Sequence, residues 1–283
     1  MTDDNRGTYD RALSSVEGTR VRHRIDTQTA HPARRYNYWL GGKDHFAADR
    51  ESGDTIAAIF PTVRLTALEN RAFMRRAITY LAREAGVRQF LDIGTGIPAP
   101  NNTHEVAQAI APESRVVYVD NDPIVLSHAR ALLNSTPEGA TAYLEADLRD
   151  SERILGAPLR DTLDLSQPVA LLLVAILHFL WPQDDPYGAV GRLVAELPAG
   201  SFLVASHSTA DFAPPVVGER PNPWTRSVFQ SRSKEEFAAF FEGMDLVPPG
   251  IVSTKDWRPD GTSSGQQLTL REISMYAAVG RIR

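Results

Sequence analysis

The chain has 283 residues and a net charge of −5, with acids and bases interspersed. That length accommodates one large α/β domain with additions, and the lack of a long basic stripe argues against a nucleic-acid partner. With no cysteine present, disulfides, zinc–thiolate sites and cysteine nucleophiles are excluded, and no metal site is assigned.

The opening stretch, MTDDNRGTYDRALSS, holds no apolar segment of the kind a secretory signal requires. Residues 1–30 are polar and repeat arginine in TRVRHRID, which reads as a flexible N-terminal extension. Residues 31–63 form a cap or lid segment and 64–283 the main domain. Inside the cap lies YNYWLGGKDHF, residues 36–46, which packs aromatics, two glycines and a Lys-Asp pair ahead of the core. Apolar residues from Arg64 to Ala85 (Leu65, Leu68, Phe73, Ala77, Ile78, Leu81) recur near a period of 3.6, predicting a helix that Gly86 ends.

From there strands and helices alternate. RQFLDIG, RVVYVD, TAYLEAD, PVALLLVAIL and SFLVASH read as five strands. THEVAQAIAP, PIVLSHARALLN (with Asp122 as N-cap and Pro123 at its first position), AVGRLVAEL and SKEEFAAFFEGM read as helices. The run at 169–177 is too short to span a bilayer and fits a strand buried on both faces, so a cytoplasmic protein with no membrane association is expected. LVPPGIVST and SMYAAVGRIR are two closing strands with no clear helix between them. The pattern predicts an α/β fold: a doubly wound, mostly parallel seven-stranded sheet with an antiparallel C-terminal hairpin at one edge and an N-terminal helical cap. The stretches 213–223 and 258–265 are expected loops.

In FLDIGTGIPA, Gly94 and Gly96 allow a tight turn and close approach to a ligand. Asp120 ends the following strand, where a carboxylate can accept both hydroxyls of a ribose. Gly94, Gly96 and Ala99 satisfy the dinucleotide pattern, but Pro98 and Pro100 delay the helix that a pyrophosphate would need. Asp92 would repel phosphates and suit a cationic amino group. Asp147 ends the third strand, where it can accept a bond from an adenine amino group or simply cap the next turn.

LDIGTG, VVYVDND and LEADLRD resemble the first three motifs of the class I S-adenosylmethionine-dependent methyltransferases. More narrowly, YNYWLGGKDHFAADR, IGTGIPAPNNTHEVAQ and DNDPIVLSHARALL together resemble a bacterial family of uncharacterised S-adenosyl methyltransferases. The resemblance implies S-adenosyl-L-methionine as cofactor and a methyl acceptor as substrate, here expected to be a small molecule. Carried onto this sequence, it implies that Asp92, Gly94, Thr95 and Gly96 surround the methionine end. Asp120 would bind the ribose, Asn121 would lie beside the adenine, and Asp147 with Leu148 would meet its edge. Pro98 stands where many class members have a third glycine. Two other readings stay open: a protein that binds S-adenosylmethionine without catalysis, and a nicotinamide-dependent oxidoreductase.

His178 and His207 stand at the carboxyl ends of the fourth and fifth strands and are the candidate catalytic bases. The segment at 36–46 is expected to close over the site as a lid, with Tyr38, Gly41, Gly42 and Lys43 meeting the cofactor. Its plainer reading is a patch of aromatics on the sheet edge, with the glycines as a turn.

Overall fold

The computed structural model describes residues 26–132, 134–212, 229–261 and 268–283. The expected extension over 1–30 therefore lies outside the described residues except for 26–30, as do the loop at 213–223 and part of that at 258–265.

The parallel strands are β1 (Gln89–Ile93), β2 (Arg115–Asp120), β3 (Ala140–Glu145), β4 (Ala170–Val174) and β5 (Phe202–Ser208). Three further strands, β6 (Met244–Leu246), β7 (Val252–Ser253) and β8 (Met275–Ile282), are antiparallel to their neighbours. The sheet order is β3-β2-β1-β4-β5-β8-β6, and β7 pairs with β8 off this path. Seven strands thus form the expected doubly wound frame, with β8 inserted antiparallel between β5 and β6. Pro248 and Pro249 have no amide hydrogen for a ladder, which splits the expected strand over 246–254 into β6 and β7.

Ten helices occur among the described residues. Those before the sheet are α1 (Pro32–Trp39), α2 (Ala47–Ile59) and α3 (Val63–Arg83). Then come α4 (Thr103–Gln108), α5 (Pro123–Leu132), α6 (Ser151–Ile154), α7 (Ala157–Thr162), α8 (Pro186–Ala195), α9 (Lys234–Ala238) and α10 (Leu270–Ile273). Asp122 caps α5 as expected, accepting from the Ile124 N–H at 2.9 Å. The helix expected over 233–244 is shorter: α9 passes into a 3₁₀ turn at Ala239–Phe241.

The period-two alternation of the strands sorts the core into two layers. Leu91, Ile93, Val117, Val119, Leu171, Leu173, Leu203 and Ala205 face one way, toward α7, α8 and the phenylalanines 237, 240 and 241. Phe90, Val116, Tyr118, Leu172 and Val204 face the other, against Phe73, Met74, Ala77, Ile78 and Leu81 of α3. Asp92 shares the parity of Phe90 and so stands on the α3 face.

Strand β4 stops at Val174, short of the expected run, because Ala175 takes a left-handed conformation (φ 55°). A non-glycine residue there costs about 1–2 kcal/mol. The Ala175 N–H instead donates to Ser206 Oγ at 2.9 Å, and a 3₁₀ turn at Leu177–Phe179 follows. No helix among the described residues is long and apolar enough to cross a membrane.

Candidate functional site

A cavity of about 390 Å³ lies at the carboxyl ends of β1 to β4, where the sheet order reverses between β1 and β4. That is the switch point at which doubly wound sheets bind ligands. Its walls include Asp92, Gly94, Thr95, Gly96, Asp120, Asn121, Asp147, Leu148 and His178.

Each rim acid is held by donors of the protein. Thr103 Oγ1 donates to Asp92 Oδ2 at 2.5 Å. Burial pushes the Asp92 carboxyl up to about 6, against the opposing pull of that hydrogen bond and of Arg71. Asp120 Oδ2 accepts from the Gly96 N–H at 2.8 Å and Oδ1 from the Asp122 N–H at 2.9 Å. Burial raises Asp120 as well, and those two donors oppose the rise. Gly96 has φ 70°, and a Cβ there would meet nothing within 4 Å. A Cβ on Gly94 (φ 75°) would instead run into the Ile176 side chain, so packing as well as conformation demands glycine there. Thr95 Oγ1 donates to the Asp92 carbonyl at 3.0 Å, closing the turn. Asp147 accepts from Asn121 Nδ2 at 2.8 Å and pairs with Arg149, whose guanidinium also reaches Asp184 at 3.0 Å.

The opposite wall comes from the segment before the sheet. His31, Arg35, Tyr36 and Trp39 of α1 and its N-cap, Ile56 and Phe60 of α2, and Asn70 and Arg71 of α3 line it. The Asn37 side chain accepts from the Asp44 N–H at 3.0 Å, and the Gly42 N–H donates to the Asn37 carbonyl at 2.9 Å. Gly41 (φ 80°) and Gly42 thus make the turn that ends α1. A Cβ on Gly42 would strike the Asn37 amide at 2.2 Å. Of the residues expected to meet the cofactor, Tyr38, Gly41, Gly42 and Lys43 lie off the wall of this cavity. Tyr38 donates to Asp54 at 2.8 Å and Lys43 is exposed, whereas the neighbouring Tyr36 and Trp39 face the cavity.

The cap is fastened to the start of α5 through Asp122. Buried Arg34 stands 3.3 Å from Asp122 and 3.6 Å from Asp49, and His31 Nδ1 is 3.1 Å from Asp122 Oδ2. Tyr36 also joins a chain of hydrogen bonds. Asn70 Nδ2 donates to the Tyr36 hydroxyl, Ser206 Oγ donates to Asn70 Oδ1, and Ser206 receives the strained Ala175 N–H.

The two histidines part company. His178 lines the cavity in the turn after β4. Burial, then the charges of Arg232 and Arg35, pull it down to about 3. Its Nδ1 is enclosed without a hydrogen-bond partner. His207 is fully buried and off the cavity wall. It makes a 2.7 Å hydrogen bond to the Ser208 carbonyl through Nδ1 and one of the same length with Arg232 through Nε2. Arg232 in turn donates to the carbonyls of Leu177 and Leu180, fixing the turn that carries His178. Both nitrogens of His207, the second expected base, are thus committed inside the core, away from the cavity. Sequence reading passed over Arg35, Asn70 and Arg71. The signal for Arg35 was its place one helical turn before Trp39, on the same face of α1.

A seven-strand frame in this order, with acids at or near the ends of its first three strands and a turn of two positive-φ glycines, is the fold of the class I S-adenosylmethionine-dependent methyltransferases. The magnesium protoporphyrin IX methyltransferase of Synechocystis, crystallised with S-adenosylhomocysteine, shares the fold at 11% identity and a TM-score of 0.51, over 88% of this chain and 93% of that one. Within that class the chain belongs to the S-adenosyl methyltransferase family, whose sequence profile matches residues 18–283. It is similar to a DUF574 family protein from Streptomyces avermitilis (50% identity, TM-score 0.84, over 91% of this chain and 99% of that one). A protein from Thermobifida fusca presented as a candidate methyltransferase is similar at 38% identity and a TM-score of 0.80, over 91% and 97% of the two chains. No curated protein matches the chain.

Proposed function

We propose that the enzyme transfers the methyl group of S-adenosylmethionine to a small molecule bound between the cap and the sheet. The observation that carries this reading is the single cavity joining three rim acids to an aromatic and apolar wall from α1 and α2. The donor set fits the cofactor. Asp92 is a buried carboxylate with one hydrogen bond, and a cationic amino group beside it would offset its desolvation. Asp120, oriented by the Gly96 and Asp122 amides, would take the ribose hydroxyls. Asn121, Asp147 and Leu148 would meet the adenine, and Arg71, whose charge is felt at Asp92, would face the methionine carboxylate. Tyr38, Gly41, Gly42 and Lys43 drop out of this cofactor set, and Tyr36 and Trp39 take their place as the part of the cap that excludes water.

S-adenosylmethionine, when bound, would supply a methyl carbon on a sulfonium for attack by an acceptor lone pair, the electron pair of the broken carbon–sulfur bond staying on sulfur. The protein's part is alignment and exclusion of water. His178, held near 3, is too weak a base to take a proton at neutral pH. Its role is to hydrogen-bond and orient the acceptor. Calorimetry should show S-adenosylhomocysteine binding and NAD binding far more weakly. Incubation of metabolite extract with methyl-labelled S-adenosylmethionine should then put label into the small-molecule fraction. Micromolar NAD binding in competition with S-adenosylmethionine, or label confined to protein or nucleic acid, would overturn the reading.

A further inference from the structure

Arg34 and Arg35 are consecutive on α1 and differ in how they are satisfied. Arg34 donates to the carbonyls of Asp26 and Thr29 at 2.8 and 3.0 Å and stands against Asp122 and Asp49. Arg35 is 8% exposed and lines the cavity. Among the described residues its one side-chain hydrogen bond is a long contact to Ser52 Oγ at 3.5 Å, and no carboxylate lies within 4 Å of it. Asp49, whose charge it feels, is already taken by the N–H groups of His31 and Phe46 and by Arg34. A buried guanidinium without an anion is costly.

Its surroundings say which ligand would answer it. Trp39, one turn along α1, donates to the Gly53 carbonyl at 3.3 Å, beside the Ser52 that Arg35 reaches. Ile56 follows one turn along α2 and packs with Phe60, Val63 and Trp39. One cation thus sits at the edge of an apolar wall. His178 lines the same cavity and feels the charge of Arg35. An enclosed N–H with no acceptor is costlier than an enclosed lone pair. The His178 proton therefore belongs on Nε2, which among the described residues makes no hydrogen bond, and Nδ1 is the bare nitrogen. In the cofactor pose proposed above Arg71, which donates to the Pro100 and Asn101 carbonyls and whose charge is felt at Asp92, would face the methionine carboxylate, which leaves Arg35 for another anion.

Building on the small-molecule reading above, we infer that the methyl acceptor is an apolar organic acid whose carboxylate is anchored by Arg35. Its apolar body lies against Trp39, Ile56 and Phe60, and the His178 N–H supports a polar group of the same molecule. The carboxylate is the anchor and not the methylated atom, because pairing with a guanidinium draws electron density from it. The planar guanidinium can pair a carboxylate through two parallel N–H groups.

The test uses the wild-type protein saturated with S-adenosylhomocysteine and two matched pairs of probes: benzoate with benzamide, and 3-phenylpropionate with 3-phenylpropionamide. Calorimetry should show each acid binding at least tenfold more tightly than its amide. Arg35→Gln should abolish that preference while leaving S-adenosylhomocysteine affinity within twofold, and Arg35→Lys should keep part of it. Equal affinity for acid and amide, or no binding of either acid at millimolar concentration, overturns the inference in the wild type alone, whatever the variants do. Loss of S-adenosylhomocysteine affinity in Arg35→Gln gives Arg35 to the cofactor and also overturns it. Failure of S-adenosylhomocysteine to bind the wild type removes the methyltransferase site itself, and the inference with it.

Discussion

At the rim formed by β1 to β3, the Asp92, Asp120 and Asp147 carboxylates each already hold at least one donor from the protein; across the cavity, among the described residues, the Arg35 side chain holds one long contact and the His178 side chain none. The rim is thus set before any ligand arrives, so that recognition there needs little rearrangement. On the cap wall the Arg35 guanidinium is the group left open among the described residues, and an open valence in a desolvated place is what discriminates among ligands. A family that binds one common cofactor and methylates an acceptor of its own would divide its cavity in this way.

The division can be attacked at its most strained point, Asp92. Its carboxyl titrates near 6 in the folded chain against 3.8 for the free group, so ionising it costs folding free energy. That cost grows as pH rises through about 4 to 6 and stays constant above. Asp92→Asn should therefore stabilise the ligand-free protein above pH 6 by up to roughly 3 kcal/mol, read as a higher melting temperature, with the gain gone below pH 4. The same variant should bind S-adenosylmethionine more weakly. It should also lose the decline in affinity that is expected of the wild type as pH falls through 6. A variant that melts lower at neutral pH would contradict the sign.

Asp120→Ala should reduce S-adenosylhomocysteine affinity by roughly 1.5–3 kcal/mol, the scale of charged hydrogen bonds, measured by calorimetry on folded protein. Unchanged affinity would remove the ribose assignment. His207→Leu should lower folding stability by about 1–3 kcal/mol, since it removes one buried partner from the Arg232 guanidinium and one from the Ser208 carbonyl. Cofactor affinity should stay within a few-fold in urea-free buffer. His178→Leu should show the reverse: melting temperature and cofactor affinity close to wild type, acceptor turnover lost. Smallest of all, Tyr38→Phe deletes only a surface hydrogen bond to Asp54. It should shift stability and S-adenosylhomocysteine binding by less than about 0.5 kcal/mol. A large binding defect there would return Tyr38 to the site.

What the sequence disclosed follows the same division. Asp92, Asp120 and Asp147 were legible because a strand end followed by a turn is a local signal, and the strand itself puts the acid at the rim. His178 and His207 looked alike because both follow apolar strands. What separates them is Arg232, which arrives from 25 residues beyond His207 and cannot be paired with it by pattern. The string at 36–46 was legible as special chemistry but not in its orientation. On a helix of eight residues, one position decides between facing the cavity (Tyr36, Trp39) and facing Asp54 (Tyr38). The glycines signalled a turn, and the Asn37 amide that the turn wraps was the missing partner. β4 ended early for a reason no propensity reveals, the left-handed Ala175 held by Ser206.

The placement of β8 bears on how the chain is made. Residues 275–282 lie between β5 and β6 and are buried along most of their length. As the chain leaves the ribosome, β1 to β5 can pair in order while β5 keeps a long apolar edge with no neighbour, and β6 emerges with nothing to join. Only when 275–282 are free can the second half of the sheet close, which requires contacts between distant segments and hence a slow step. Until then the β5 edge is open to other nascent chains. Chaperone dependence during synthesis should therefore concentrate in this interval, and a chain cut just before Met275 should aggregate rather than persist as a smaller folded enzyme.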